Sequence, residues 1–246
     1  MAVYRDRVLP HIIDRMCGTA LFGPWRAEAS AGLRGTVVEI GFGSGLNVGH
    51  YPPEVERVLA VEPSATAFGL AAGRLRRSPA TVERIGLDGQ SLPLADASCD
   101  SALCTFTLCT VPRPELALAE LRRVLVPGGR LHLLEHGLAP DPAVVAWQHR
   151  LDPLQGHLGG GCHLTVDPLG LVRAAGFTVE SVTARYAGGP KPWTYFTRLV
   201  ARAPVDACGG AAPGRGAGSP PGPPGPPGGD RRRGFRPPYR WALPGA

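Results

Sequence analysis

Lysine is all but missing from this chain. Of its 26 basic residues only Lys191 is a lysine, and the remainder are arginines in a sequence dominated by alanine, glycine, proline and arginine. The formal charge of +6 is therefore a compositional matter before it is a binding surface. The segment from Asp206 onward holds six arginines against two aspartates, a balance of +4, which leaves only +2 for everything before it. A groove built for a phosphate backbone is not implied for the folded part, so nucleic acid is excluded as its expected partner. Nor do the six cysteines, at 17, 99, 104, 109, 162 and 208, form any Cys-x-x-Cys pair. Cys162-His163 offers two adjacent donors without the further ligands that zinc spacing requires, so no metal is expected and the thiols read as small buried hydrophobes. Long apolar runs are absent too: none approaches the roughly eighteen residues of a membrane span, and no basic-then-apolar signal peptide opens the sequence. These absences predict a cytoplasmic protein. Its 246 residues with 43% hydrophobic content suit one large α/β domain and an appendage.

What is present is a glycine loop behind a buried strand, Thr36-Val-Val-Glu-Ile-Gly-Phe-Gly-Ser-Gly-Leu-Asn47. Gly41, Gly43 and Gly45 let the backbone turn sharply, adopt positive φ and approach a ligand closely. The dinucleotide fingerprint sets its third glycine one residue later, and Glu39 upstream would repel a pyrophosphate. A ligand carrying an ammonium and a sulfonium is favoured instead, which describes S-adenosylmethionine. About twenty residues on, the run Arg57-Val-Leu-Ala-Val-Glu-Pro63 reads as a parallel strand ending in Glu62, placed to accept from two ribose hydroxyls. A third strand, Thr81-Val-Glu-Arg-Ile-Gly86, leads to Asp88, either an adenine contact or an ordinary Asp-Gly turn.

The segments VVEIGFGSG, VLAVEPS, LDGQSLPLADASCDSALCTFTLCTV and ELRRVLVPGGRLHLLEHG, in that order, resemble the class I S-adenosylmethionine-dependent methyltransferases of the methyltransferase-11 type over residues 36 to 137. Trp147-Gln148-His149-Arg150-Leu151-Asp152-Pro153 with Gly161-Cys162-His163-Leu164-Thr165 is similar to the methyltransferase-like 7 group of thiol methyltransferases. That resemblance implies S-adenosylmethionine as cofactor, with Glu39, Gly41, Gly43, Gly45, Glu62 and Asp88 lining its site and Thr105 at the next strand end beside them. The long apolar N-terminal anchor of that group has no counterpart in Met1-Ala-Val-Tyr-Arg-Asp-Arg-Val-Leu-Pro10.

The pattern predicts a Rossmann-like, doubly wound seven-stranded α/β sheet, mostly parallel with an antiparallel last strand and helices on both faces. Strands are expected near 36-40, 57-62, 81-85, 99-104, 129-135, 176-184 and 194-201, alternating with helices. Helices are expected at 5-17, 25-32, 114-125, 142-154 and 168-175. The organisation is then a helical cap at 1-35, a methyltransferase domain at 36-203 and a Pro/Gly/Arg-rich tail at 204-246. That tail, with its Gly-Ser-Pro-Pro-Gly-Pro-Pro-Gly repeat, is expected to be disordered, and its arginines and aromatics point to no particular partner.

Ligands of open α/β sheets bind at the carboxyl ends of the strands, so the methyl acceptor should meet residues following the fourth and fifth strands and the 147-163 segment. Thr105, Phe106, Leu108, Glu135, His136, Trp147, Asp152, His157, His163 and the Pro190-Trp193 turn are the candidates. Methyl transfer from a sulfonium needs positioning first and a base second, and His136, then His163, is the choice for the base. A small-molecule acceptor, either a thiol or another compact nucleophile, is the leading expectation. Carbon methylation of a quinone precursor, an NAD-dependent oxidoreductase and a non-catalytic cofactor-binding protein stay open beside it. Methylation of exocyclic amino groups in nucleic acid is disfavoured, because Thr105-Phe-Thr-Leu108 stands where an Asn/Asp-Pro-Pro-aromatic motif would be.

Overall fold

The computed structural model describes residues 3–205, and the tail expected at 204-246 lies outside the described residues from position 206 on. Seven strands form one sheet: β1 (Gly35–Ile40), β2 (Val55–Val61), β3 (Thr81–Gly86), β4 (Cys99–Thr105), β5 (Leu125–His136), β6 (Thr178–Tyr186) and β7 (Tyr195–Arg202). Their order is β3-β2-β1-β4-β5-β7-β6, and β7 runs antiparallel to both of its neighbours while the other pairs are parallel. The apolar runs explain this centre. Val37, Val38, Ala102, Leu103, Cys104, Leu131, Leu133 and Leu134 are fully buried, as strands covered on both faces must be.

Eight α-helices surround the sheet: α1 (Leu9–Cys17), continuing a π-helical turn Tyr4–Val8, α2 (Gly23–Ser30), α3 (Ala65–Leu70), α4 (Ala72–Leu75), α5 (Pro114–Val124), α6 (Pro142–Leu158), α7 (Pro168–Ala174) and α8 (Lys191–Thr194). Leu118, Leu121 and Val124 of α5 and Val172 of α7 pack on one face with Leu131, Leu133 and Leu199. The opposite face gathers Val37, Val58, Leu103, Phe42 and Tyr51. Residues 3–205 belong to one compact unit, so the N-terminal helices are part of the body that carries the sheet.

Three expectations need correction. Strand and helix do not alternate throughout, because among the described residues β1 is followed only by a 3-10 turn, Val48–His50, and the β3–β4 connection has no helix. The fifth strand begins at Leu125, directly after α5: Leu125 pairs with Cys99 and Arg130 with Ser101, so Val126–Gly129 bulges out between them, with Gly128 at φ 75°. The helix expected to end at 154 continues through Pro153 to Leu158. Proline removes one backbone donor there, but tertiary bonds hold the last turns, with Trp193 Nε1 donating to Gln155 Oε1 at 3.1 Å and Tyr4 Oη to the Leu158 carbonyl at 3.0 Å.

The carboxyl ends of β1, β2, β4 and β5 share one edge, which brings Gly41, Glu62, Phe106 and His136 to the same side of the molecule. Next to that edge α7 packs beneath the loop after β5, with Gly137 pressed against Val166 and Pro168. Its first turn is capped by Asp167, whose carboxylate accepts from the Gly170 N–H at 3.0 Å. Asp167→Ala should lower stability by about 1 kcal/mol, with Asp167→Asn near wild type. Urea unfolding with an unchanged slope checks it, and equal midpoints for wild type and the alanine variant would remove the cap from the account.

Candidate functional site

The three loop glycines all have positive φ, 73° at Gly41, 58° at Gly43 and 73° at Gly45, but each serves a different end. A Cβ on Gly41 would lie 2.0 Å from Thr107 Oγ1, so that position lets the loop after β4 close against the loop after β1. At Gly45 the neighbours at 3.1 to 3.2 Å are Ala71, Phe42 and Val48, a packing role. A Cβ on Gly43 would meet only the Gly41 carbonyl, at 3.8 Å, so this half-buried residue leaves open space on its Cα side for a ligand.

Behind the loop sits a buried polar ring. Asn47, the only asparagine in the chain, donates to Glu39 Oε1 and to Thr105 Oγ1, each at 2.9 Å. Arg26 Nη1 donates to Asn47 Oδ1 at 2.8 Å and to Thr105 Oγ1 at 3.1 Å, and Tyr51 Oη donates to Glu39 Oε2 at 2.5 Å. Burial pushes Glu39 up to about 7, with the bonds from Tyr51 and Asn47 and the charge of Arg26 opposing. Burial likewise pulls Arg26 down, and its Nε finds no partner. One amide thus joins β1, α2 and β4 around an acid that is half disposed to hold a proton at neutral pH.

Glu62 follows β2 and braces the loop: Oε2 accepts from the Gly43 N–H at 2.8 Å and Oε1 from the Ser64 N–H at 2.7 Å. Each oxygen keeps a lone pair, although burial raises this carboxyl against those two bonds. Asp88 is exposed and accepts from both the backbone and side-chain nitrogens of Gln90, the behaviour of a turn aspartate. The fold places its turn beside β1, with Gly89 against Ile40, but does not bring its carboxylate into the network. Helix α1 closes over the loop from outside, since Asp14 Oδ1 accepts from Ser44 Oγ at 2.6 Å and from Arg74 Nη1 at 2.9 Å.

The acceptor side forms where the loops after β4 and β5 meet the segment after α6. Glu135 Oε1 accepts the Leu108 N–H at 2.7 Å and the Thr107 N–H at 2.5 Å, while its Oε2 is buried without a partner. Burial raises Glu135 to about 7 against the charge of His136 and those two N–H groups. His136, 9% exposed, stacks on Phe106 and sets Nε2 3.1 Å from Cys162 Sγ, leaving Nδ1 buried and unpartnered. Phe106 is held at φ 53°, a strained conformation for an aromatic residue, and packs against Phe22 and Phe196. Burial alone would lower His136, yet the bond and charge of Cys162, with Glu135, raise it. The bond from Cys109 and the pairing with His136 lower Cys162 against its own burial. The hydrogen bond between His136 Nε2 and Cys162 Sγ thus favours the charged form of each partner against the burial of both.

His163, the second proposed base, is 55% exposed at its side chain and lies 2.8 Å from Asp152, apart from His136. Trp147 is exposed as well. Arg26, Asn47 and Tyr51 carry no reading in the sequence, although a lone asparagine seven residues after Ile40 was visible there, and Cys162, weighed there only beside His163, meets Cys109 instead.

Residues 38–133 match the family model described as a methyltransferase domain. Thiol S-methyltransferase TMT1B of Rattus norvegicus is 36% identical over 136 residues, which cover 53% of this chain and 54% of that protein. Ubiquinone/menaquinone biosynthesis C-methyltransferase UbiE of Syntrophotalea carbinolica is 30% identical over 146 residues, covering 56% and 61%. The chain thus spans just over half the length of these curated relatives. Among solved structures, a SAM-dependent methyltransferase from Thermotoga maritima superposes with a TM-score of 0.59 at 22% identity, covering 82% of this chain and 99% of that one. The fold is the one predicted.

Gly41→Ala should destabilise the protein by several kcal/mol, because backbone strain adds to a clash with Thr107, whereas Gly43→Ala should cost only the left-handed penalty of about 1 to 2 kcal/mol. Equal losses in thermal unfolding would contradict the assignment of separate roles. For Glu39 and Glu135 the folded values near 7 exceed the ordinary 4.5, so the folded state binds more protons. Their contribution is present below about pH 4.5 and is lost as pH rises toward 7, up to roughly 3 kcal/mol each. Glu39→Gln should therefore show a shallower fall in stability between those limits than wild type in denaturant titrations at stepped pH.

Proposed function

We propose that this chain, with its methyltransferase domain at residues 38–133, transfers a methyl group from S-adenosylmethionine to a small thiol. The observation that carries the cofactor is the open space at Gly43 on the loop that follows β1, together with the buried acid Glu39, which desolvation raises to about 7 despite the charge of Arg26. The residues fit the group. Gly43 leaves room for it, Glu62 has lone pairs left at the end of β2, Asp88 lies on the turn beside β1, and Glu39 would be relieved of its desolvation by a nearby ammonium or sulfonium. Bound there, S-adenosylmethionine supplies an already activated methyl carbon.

The chain's own work is then alignment. Phe106, Phe22, Phe196 and Trp25 wall the acceptor side and exclude water, and Glu135 fixes the loop that carries Phe106 through the Thr107 and Leu108 N–H groups. Holding a nucleophile about 3 Å from the methyl carbon supplies several kcal/mol of the barrier. The bond to Cys162 occupies His136 Nε2 and Nδ1 is buried, an arrangement that favours an acceptor arriving partly ionised and needing no base. A thiol meets that demand near neutral pH, and the similarity to a thiol S-methyltransferase points the same way. The aromatic wall, with Phe106 edge-on to Phe22, together with the similarity to UbiE, supports a quinone-precursor ring as the second reading. Among the described residues no helix is long and apolar enough to cross a membrane, and we place the protein in the cytoplasm.

Calorimetric titration with S-adenosylmethionine, its demethylated product and NADH, followed by methyl transfer to small thiols and to hydroquinones, tests both parts. Binding of the first two alone with transfer to thiols is expected. Binding of NADH alone would overturn the cofactor, and transfer only to ring carbon would overturn the acceptor. Glu62→Ala should weaken cofactor binding by about 1 to 3 kcal/mol, the range for a charge-assisted contact. Cofactor binding should also release protons as Glu39 ionises, so affinity should rise between pH 6 and pH 8, with the trend reduced in Glu39→Gln. Titration in buffers of different ionisation enthalpy reads that release directly.

A further inference from the structure

Three soft donors from three separate loops converge at the acceptor side, a grouping that no spacing in the sequence announces. Cys109 comes from the loop after β4, His136 ends β5, and Cys162 lies in the glycine-rich turn after α6. One donor atom from each lies within 4.8 Å of the others. Cys162 Sγ stands 3.7 Å from Cys109 Sγ and 3.1 Å from His136 Nε2. Zinc with Zn–S near 2.3 Å and Zn–N near 2.0 Å places two tetrahedral sulfurs about 3.8 Å apart, and a sulfur and a nitrogen about 3.5 Å apart. The first spacing is already met, and the second needs a displacement of only about 0.4 Å.

The surroundings favour an ion over a bare trio. Cys109 is 2% exposed, His136 9%, and the buried Glu135 carries an unpartnered oxygen beside them. The loops are tied together independently of any ion, because the His163 N–H donates to the Cys109 carbonyl at 2.8 Å. The protein therefore holds the donors near one another before metal arrives, which lowers the ordering cost of binding.

We propose that Cys109, Cys162 and His136 Nε2 form a three-ligand site for a soft divalent ion, zinc above all, whose open fourth position takes the sulfur of the thiol acceptor. The ion replaces the proton shared by His136 and Cys162, and the thiolate ligands release their protons to solvent on loading. An incoming thiol R–SH binds the fourth position as R–S⁻ and its proton leaves to water. The sulfur lone pair then forms the new S–CH3 bond as the bond from the methyl carbon to the sulfonium breaks. The products are a neutral thioether, neutral S-adenosylhomocysteine and the one proton already released. The fourth-position step rests on the thiol reading above, whereas the three-ligand site does not.

The test loads the full chain, reduced with a phosphine so that no competing thiol is present. Equilibrium dialysis against zinc should give one tightly bound ion per chain, and cobalt(II) should show a thiolate-to-metal charge-transfer band. Cys162→Ser should lose most of that band and weaken binding about a hundredfold. Because Cys109→Ser alters a buried position, its folding is checked by S-adenosylmethionine binding before its metal content is read. Addition of β-mercaptoethanol to the cobalt form should change the band as a third thiolate enters. Substoichiometric zinc, or equal affinity in wild type and Cys162→Ser, overturns the site, and so does a Cys109–Cys162 disulfide that persists in the phosphine. An unchanged cobalt spectrum with added thiol overturns the fourth-position step. Metal binding without thiol methylation would sink the thiol reading alone, and thiol methylation by metal-free protein would sink the metal role alone.

Discussion

The structure depends on one buried amide. Asn47 satisfies a carboxylate from β1 and a hydroxyl from β4 while accepting from a guanidinium on α2, so three elements distant in sequence are fixed by a single side chain. Such a ring is strong only when complete. Removing one member in a low-dielectric interior strands the others, and the cost then exceeds that of the bond itself. Glu39 is the member that tolerates this least, being wholly buried, and it is also the one that gains most from a cation nearby. Stability of the loop and readiness for a positively charged ligand are therefore set by the same group.

The edge of the sheet repeats this arrangement on its acceptor side. Glu135, like Glu39, is a buried acid near the carboxyl end of a central strand, and it organises the loop opposite it through backbone N–H groups. The rings of Phe22, Phe106 and Phe196 pack on one another beside the loop that Glu135 organises, and Phe106 stacks on His136, the next residue along β5. The strained backbone at Phe106 is the local cost of directing that ring inward.

Much of this was legible beforehand, for definite reasons. Continuous apolar runs gave the central strands, because burial on both faces leaves no alternation, and alternate glycines gave the loop, because positive φ costs least at glycine. Two boundaries were misplaced: β5, expected near 129, starts at Leu125 across a bulge that contains Pro127, and α6, expected to end at 154, runs on to Leu158 because tertiary bonds carry it past Pro153. The site was legible where it depends on backbone and obscure where it depends on convergence. Glu39 and Glu62 sit beside glycines that announce them, whereas Arg26, Cys109 and Cys162 acquire meaning only when separate loops meet. Asp88 and His163 have local partners that their positions did not announce, Gln90 for the first and Asp152 for the second.

The clasp of Asp14 on Ser44 and Arg74 has a consequence for coupling. The helix that carries it ends at Cys17, which lies near enough to Arg26 and Cys162 to feel their charge, so α1 touches both the glycine loop after β1 and the cluster after β5. A change of charge at either place is therefore felt by the same short helix, which acts as a shared girder between two regions that are distant in sequence.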